Sequence, residues 1–247
     1  MYLVILLPSI LALFALWRKK ITIPGVIAAW IMGIIITYAG GIYSFIALAL
    51  TFILTIITDK LKRKNRDEKR TIYQMFSNVL TATCALIIYY FKQNEIFIVM
   101  YFAVMSGSLA DTMASSIGSL SKGININPLT FKRMQKGESG AVSSLGISAS
   151  FLAGFIIGGV YYLSGGYIIN YLIIILMSGF GSFVDSVMGA YLQGKFKCSK
   201  CRRIVETKVH CDKETKLVKG FSFMNNDMVN LISNVMVFVV TYMLMIV

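Results

Sequence analysis

Apolar residues along this 247-residue chain gather into eight long runs, at about 2–17, 21–38, 42–58, 72–91, 96–118, 141–163, 167–193 and 224–247. Most approach the roughly 20 residues that a helix needs to cross the hydrocarbon core of a bilayer. The polar stretches between them are of two kinds. One is short and glycine-bearing, as at Gly40-Gly41 and Ser164-Gly165-Gly166; the other is basic, at 18–20, 59–70, 119–139 and 194–223. The pattern predicts an all-α, polytopic transmembrane bundle of about 7–8 spans, a single integral membrane domain over 1–247. The first run is the weakest, with Pro8 inside it and Arg18-Lys19-Lys20 after it. Lacking a basic segment before it and a small-x-small cleavage site after it, it reads as a span rather than a cleaved signal.

Composition agrees: 57% of residues are hydrophobic, 14% are charged, and the mean hydropathy is +0.73. Soluble domains, disorder and disulfide scaffolds are excluded by these values. The net charge of +13, from 24 Lys and Arg against 11 acids, would suggest nucleic acid in a soluble protein. Here every Lys and Arg except Lys92 lies in the four basic segments. That asymmetry is the positive-inside signature, which predicts a multi-pass protein of the cell membrane with these loops in the cytoplasm and no nucleic-acid partner. The two long loops are richer in charge than orientation requires, which points to an anionic substrate or headgroup on the same face.

Ionisable groups inside spans are costly and mark function. Asp111 and Asp185 stand in a repeated pattern, Gly107-Ser108-x2-Asp111-Thr112 and Gly181-Ser182-x2-Asp185-Ser186, at similar depth in helices of the same direction. Paired carboxylates with adjacent hydroxyls suit a divalent cation or proton chemistry, while the glycines equally suit close helix packing. Gln74 and Asn78 follow Arg70 at helical spacing, and Asn226, Asp227, Asn230 and Asn234 share one side of the last span. Interhelical amide bonding is the plainer reading of these stripes. Their common bias toward the cytoplasmic face nonetheless predicts one converging site.

Phe131-Lys132-Arg133-Met134-Gln135-Lys136-Gly137-Glu138-Ser139-Gly140 precedes the sixth run as a candidate anion cradle at a helix start, without the ending of a Walker A loop. The last basic loop carries Cys198-x2-Cys201 and then His210-Cys211. These are ligands for a structural Zn²⁺, free thiols or a redox pair. With His210 the only histidine, a Ser-His-Asp hydrolase is not expected.

The strings Arg70-x3-Gln74-x3-Asn78, Ala110-Asp111-Thr112-x-Ala114-Ser115-x2-Gly118, Gly137-x-Ser139-Gly140-Ala141-Val142-Ser143, Gly181-Ser182-x2-Asp185-Ser186-x2-Gly189-Ala190-x2-Gln193 and Asn226-Asp227-x-Val229-Asn230 occur in that order. Together they resemble one integral-membrane family, long of unknown function, that includes the phytyl-phosphate kinases of plants and cyanobacteria. The Cys198, Cys201, Glu206, His210-Cys211 and Thr215 pattern belongs to the same resemblance, which runs from about residue 20 to the end. It implies phosphoryl transfer from CTP or another nucleoside triphosphate to an isoprenyl monophosphate of phytyl or geranylgeranyl type. Read with that chemistry, the residues suggest Mg²⁺ ligation by Asp111 and Asp185 with Asp227 as a further candidate, phosphate binding by Lys132, Arg133, Lys136, Gly137, Ser139 and Gly140, and orientation by Arg70, Gln74, Asn78, Asn226 and Asn230. Two positions depart from the family: Thr71 and Ser116 stand where acids are common. A CDP-lipid-forming cytidylyltransferase and an ion-coupled carrier or lipid-phosphate flippase are the competing expectations.

Overall fold

The computed structural model describes residues 2–19, 21–61 and 69–246; Lys20 and residues 62–68 of the expected loop 59–70 lie outside them. Among the described residues seven helices make up the bundle: α1 (Tyr2–Trp17), α2 (Ile23–Asp59), α3 (Ile72–Lys92), α4 (Glu95–Gly118), α5 (Ser144–Leu163), α6 (Ile168–Tyr191) and α7 (Asn226–Ile246). Six are long and apolar enough to cross a membrane, and α1, at 16 residues, is shorter. This count falls slightly below the 7–8 expected.

The difference arises in α2. A straight helix would hold residues 33 and 48 about 22 Å apart. Instead, a side chain at Gly33 would lie 3.8 Å from Leu48 Cδ2. The chain doubles back at Gly41, whose φ of 73° is open to glycine and costly for other residues, and the halves 23–40 and 42–59 pack together.

Helix α4 is the centre of the bundle. Residues 99–110 are all buried, so every side of that stretch meets another helix, whereas the outer helices turn Leu13, Ile27, Phe155 and Leu176 outward. An apolar exterior is what lipid requires of a multi-span protein.

The described parts of the basic segments collect at one end of this bundle. Ile21 bridges to Arg70, the Thr22 amide donates to the Arg70 carbonyl at 2.9 Å, and Gln193 bridges to Phe221. The expected loops are partly ordered as strands. β1 (Asn125–Ile126) and β2 (Arg133–Met134) form an antiparallel pair in the loop after α4. Between α6 and α7, β3 (Lys195–Cys198), β4 (Ile204–Val205), β5 (Val209–His210) and β6 (Lys213–Lys219) form a sheet in the order β4-β3-β6-β5. The bundle is helical as expected, with this small sheet as its addition.

Candidate active site

Helices α4 and α6 cross at their glycines. A Cβ on Gly181 would sit 3.1 Å from Gly107 Cα and 3.0 Å from Val237 Cγ2 on α7, so even a methyl would make its neighbours give by tenths of an ångström. Asp111 follows Gly107 by four residues and Asp185 follows Gly181 by four, which puts each one turn beyond the crossing on the glycine's face. They lie seven and six residues from the ends of their helices, about 9–10 Å from the basic end at 1.5 Å per residue. Both are half-buried. The glycine repeat therefore serves packing and places the carboxylates at one depth.

A polar seam joins this crossing to α3 and α7. Ser108 Oγ donates to Asn78 Oδ1 at 3.2 Å, and Asn78 donates to the Gln74 carbonyl at 2.8 Å. Turned so that its NH2 meets acceptors, Asn230 donates to Asp185 Oδ2 at 2.9 Å and to the Asn226 carbonyl at 3.3 Å. The opposite orientation offers only Asn78 Oδ1 at 3.4 Å, and a carboxylate is the stronger acceptor. Asn234 donates to the Ser77 carbonyl at 2.8 Å. Asp227 is half-buried one turn before Asn230, and Asn226 opens α7 at the surface.

Some expected roles change. Gln74 is an N-cap partner: its Oε1 accepts from the Thr71 amide at 3.1 Å while Thr71 Oγ1 accepts from the Gln74 amide. Thr71 thus caps α3, a position that an aspartate would fill equally well. Gly137 to Gly140 do not start a helix. α5 begins at Ser144, and Ser143 caps it by accepting from the Gly146 amide at 3.1 Å. Gly140 has φ +80°, and a Cβ there would collide with the Ser186 carbonyl and the Ala190 amide, so this segment lies flush on α6. Ser139 Oγ donates to Gln193 Oε1 at 2.7 Å. Lys132 and Arg133 are exposed, and Lys136 Nζ donates to the Ser121 carbonyl at 2.9 Å.

Three features were not anticipated from sequence. Asp59, the last residue of α2, pairs with Arg70 at 2.7 Å and stands 3.5 Å from Ser116 Oγ. A carboxylate is therefore present beside the buried Ser116 after all, supplied by another helix. Lys195, with 5% exposure, donates to Glu138 at 3.1 Å and to the Ser139 carbonyl at 3.3 Å. An ammonium so deeply buried demands such partners, and it ties β3 to the Gly137–Gly140 segment. The third is an apolar cleft between α1, both halves of α2, α3 and α4, lined by Ala12, Ala15, Met32, Phe52 and Met75. It is bounded by the polar groups of Arg70, Asn78, Ser108 and Thr112.

Among the described residues, Cys198, Cys201, His210 and Cys211 are the group of metal-ligating side chains whose ligand atoms all lie within 4.8 Å of one another. Asp111, Asp185 and Asp227 are not gathered in that way. All four cysteines are free thiols. The Cys201 amide and the His210 ring hold the Cys198 thiol down to about 6, while desolvation and the neighbouring sulfurs push Cys211 up.

Residues 6–238 match the family described as Integral membrane protein DUF92. Similar proteins include Uncharacterized membrane protein MJ0933 of Methanocaldococcus jannaschii, 30% identical over 197 residues, 77% of this chain and 82% of that one. Protein PGR of Arabidopsis thaliana is 26% identical over 270 residues, covering 93% and 90% of the two chains. Protein VTE6, chloroplastic, of the same plant is 24% identical over 226 residues, covering 85% of this chain and 60% of its own. No solved structure matches the chain significantly. The matched stretch takes in every motif of the polar seam, and the chain belongs to the integral membrane family DUF92.

Proposed function

We propose that this protein is a membrane-embedded isoprenyl-monophosphate kinase, transferring the terminal phosphoryl group of CTP or another nucleoside triphosphate to a phytyl- or geranylgeranyl-type phosphate. The observation that carries the reading is the cleft, lined mainly by apolar side chains and bounded by Arg70, Asn78, Ser108 and Thr112, the last of which follows Asp111 in sequence. An isoprenoid tail matches the apolar lining, and a phosphate head matches a guanidinium with amide and hydroxyl donors. The family resemblance of the ordered motifs supports the same chemistry. Basic loops suit a polyanionic nucleotide, and the positive-inside asymmetry supports a site that faces the cytoplasm.

Asp111 and Asp185 offer oxygen ligands of the kind that Mg²⁺ shares with phosphates and water, with Asp227 and Asp59 on adjoining helices. When bound, the ion neutralises charge on the transferred group. Asp111 and Asp185 would be the protein ligands of such an ion, as is usual where Mg²⁺ is bound through one or two carboxylates together with substrate phosphates. Asn230 orients Asp185, Arg70 holds the acceptor phosphate, and Lys132, Arg133, Lys136 and the 137–140 backbone bind the nucleotide. The acceptor is already anionic, so no general base is required.

The position of the label distinguishes this reaction from its relatives. Purified protein in detergent is incubated with Mg²⁺, a prenyl monophosphate and CTP labelled at either the α or the γ phosphate. A kinase puts γ label into prenyl diphosphate and releases CDP. Label from the α phosphate in lipid, with pyrophosphate released, would replace the proposal by a cytidylyltransferase; lipid left unlabelled by every nucleotide would favour a carrier.

A further inference from the structure

We propose that Cys198, Cys201, His210 and Cys211 bind one zinc ion, and that this ion holds together the sheet that carries Lys195 to the Gly137–Gly140 segment. The inference does not depend on the kinase reading.

The ligand atoms have the right spacing. A tetrahedral zinc with Zn–S bonds near 2.3 Å and a Zn–N bond near 2.0 Å has edges of about 3.5–3.8 Å. His210 Nδ1 lies 3.5 Å from Cys201 Sγ and 3.2 Å from Cys211 Sγ, and all four ligand atoms fall within 4.8 Å. The two edges at His210 Nδ1 are within about 0.3 Å of the ideal, and the remaining edges close with a contraction of at most about 1 Å. Three thiolates and one imidazole form a closed structural site, leaving no position for substrate.

The backbone is shaped around the sulfurs. After Cys198 the chain makes a tight turn in which the Cys201 amide points at Cys198 Sγ, at 3.5 Å, and the Arg202 amide donates to the Cys198 carbonyl at 3.0 Å. Arg202 has φ 57°. On the other side, β5 and β6 are joined by a two-residue turn at Cys211 and Asp212, with φ of 54° and 59°. Turns of this kind favour Asn-Gly, because both central residues are left-handed. Cys and Asp there carry a cost that ligation by Cys211 and its neighbour His210 offsets.

The sheet also lacks a core of its own. From Lys195 to Lys219 only Lys195, Phe196 and Cys198 are buried, and β4 and β5 have two residues each. Ile204 and Val209 are more than 60% exposed. So little buried apolar surface does not fix four strands, and small units of this type rely on disulfides or metal. Since the cysteines are free thiols, a metal is the staple that remains. Cys198 pairs with Thr215 on β6 and His210 pairs with Lys213, so the ion links β3 to the β5–β6 hairpin across β6. Lysines and arginines at 200, 202, 203 and 213 balance the negative charge of three thiolates on one divalent cation.

The test uses the full-length protein purified without chelator. About one zinc per chain is expected by elemental analysis, released stoichiometrically when a mercurial modifies the thiols. Cobalt substituted into the same protein is expected to show thiolate charge-transfer and tetrahedral d–d bands. Cys198→Ser and Cys211→Ser lose the zinc, whereas Cys84→Ser, a change on α3 away from the sheet, keeps it. If the serine variants misfold, the mercurial titration and cobalt spectrum of the wild-type chain decide. Zinc-free protein that takes up no cobalt after reduction, or a disulfide among these cysteines, would overturn the proposal.

Discussion

At the scale of single residues, Asn230 and Gly140 are informative because one atom decides each role. Asn230 donates to Asp185 Oδ2 from α7, so Asn230→Leu removes the donor while retaining bulk. Phosphoryl transfer is expected to fall about 10-fold or more, with little change in thermal midpoint in detergent. Unchanged activity would show that Asp185 needs no such support. Gly140→Ala forces a Cβ into the Ser186 carbonyl and demands a left-handed alanine. It is expected to destabilise the protein by about 1–3 kcal/mol, read as a lower thermal midpoint. Asp111 and Asp185 were legible in the sequence because charges in apolar runs are conspicuous and helical periodicity fixes their depth. Asp59 was not, since an acid at the end of an apolar run looks like the start of a loop; its meaning comes from Arg70 and Ser116. Gln74 had a readable signal, Thr71-x2-Gln74 before an apolar run, which outranks the substrate role assigned to it.

At the scale of elements, the crossing of α4 and α6 sets the packing glycines one turn from Asp111 and Asp185. Gly181→Leu would wedge the helices apart at Gly107 and Val237, with an expected cost of about 1–3 kcal/mol. Activity should fall with stability, because Asp111 and Asp185 lie one turn beyond. A stable, fully active variant would separate the glycines from the site. The apolar runs gave the helices closely, including the reversal at Gly40-Gly41. They placed the start of α5 three residues early, since Ala141-Val142 is apolar but Ser143 provides the cap. The sheet between α6 and α7 left little signal, because β4 and β5 have two residues each and the longer β6, Lys213–Lys219, is mostly charged and exposed rather than alternating with an apolar face. The cleft was hidden as well. It depends on α1 and both halves of α2 packing beside α3 and α4, which no local pattern specifies.

At the scale of the whole molecule, one end of a lipid-facing bundle collects the described parts of the basic segments, the polar seam and the sheet that carries Cys198, Cys201, His210 and Cys211. Charge of this density acts on a nucleotide mainly through long-range attraction, which salt screens over about 8 Å at physiological ionic strength. The KM for nucleotide is therefore expected to rise several-fold between low and high salt while kcat changes little. A salt-independent KM would remove the basic loops from nucleotide capture. In the proposed reaction Asp111 serves phosphoryl transfer to a lipid phosphate whose tail lies in the cleft. The measurement that tests it most directly is transfer of label from γ-labelled CTP to geranylgeranyl or phytyl monophosphate, with wild-type protein and Asp111→Asn compared at equal folded concentration. The account predicts labelled prenyl diphosphate from the wild type and a loss of about 100-fold or more in the variant; full activity in Asp111→Asn would contradict it.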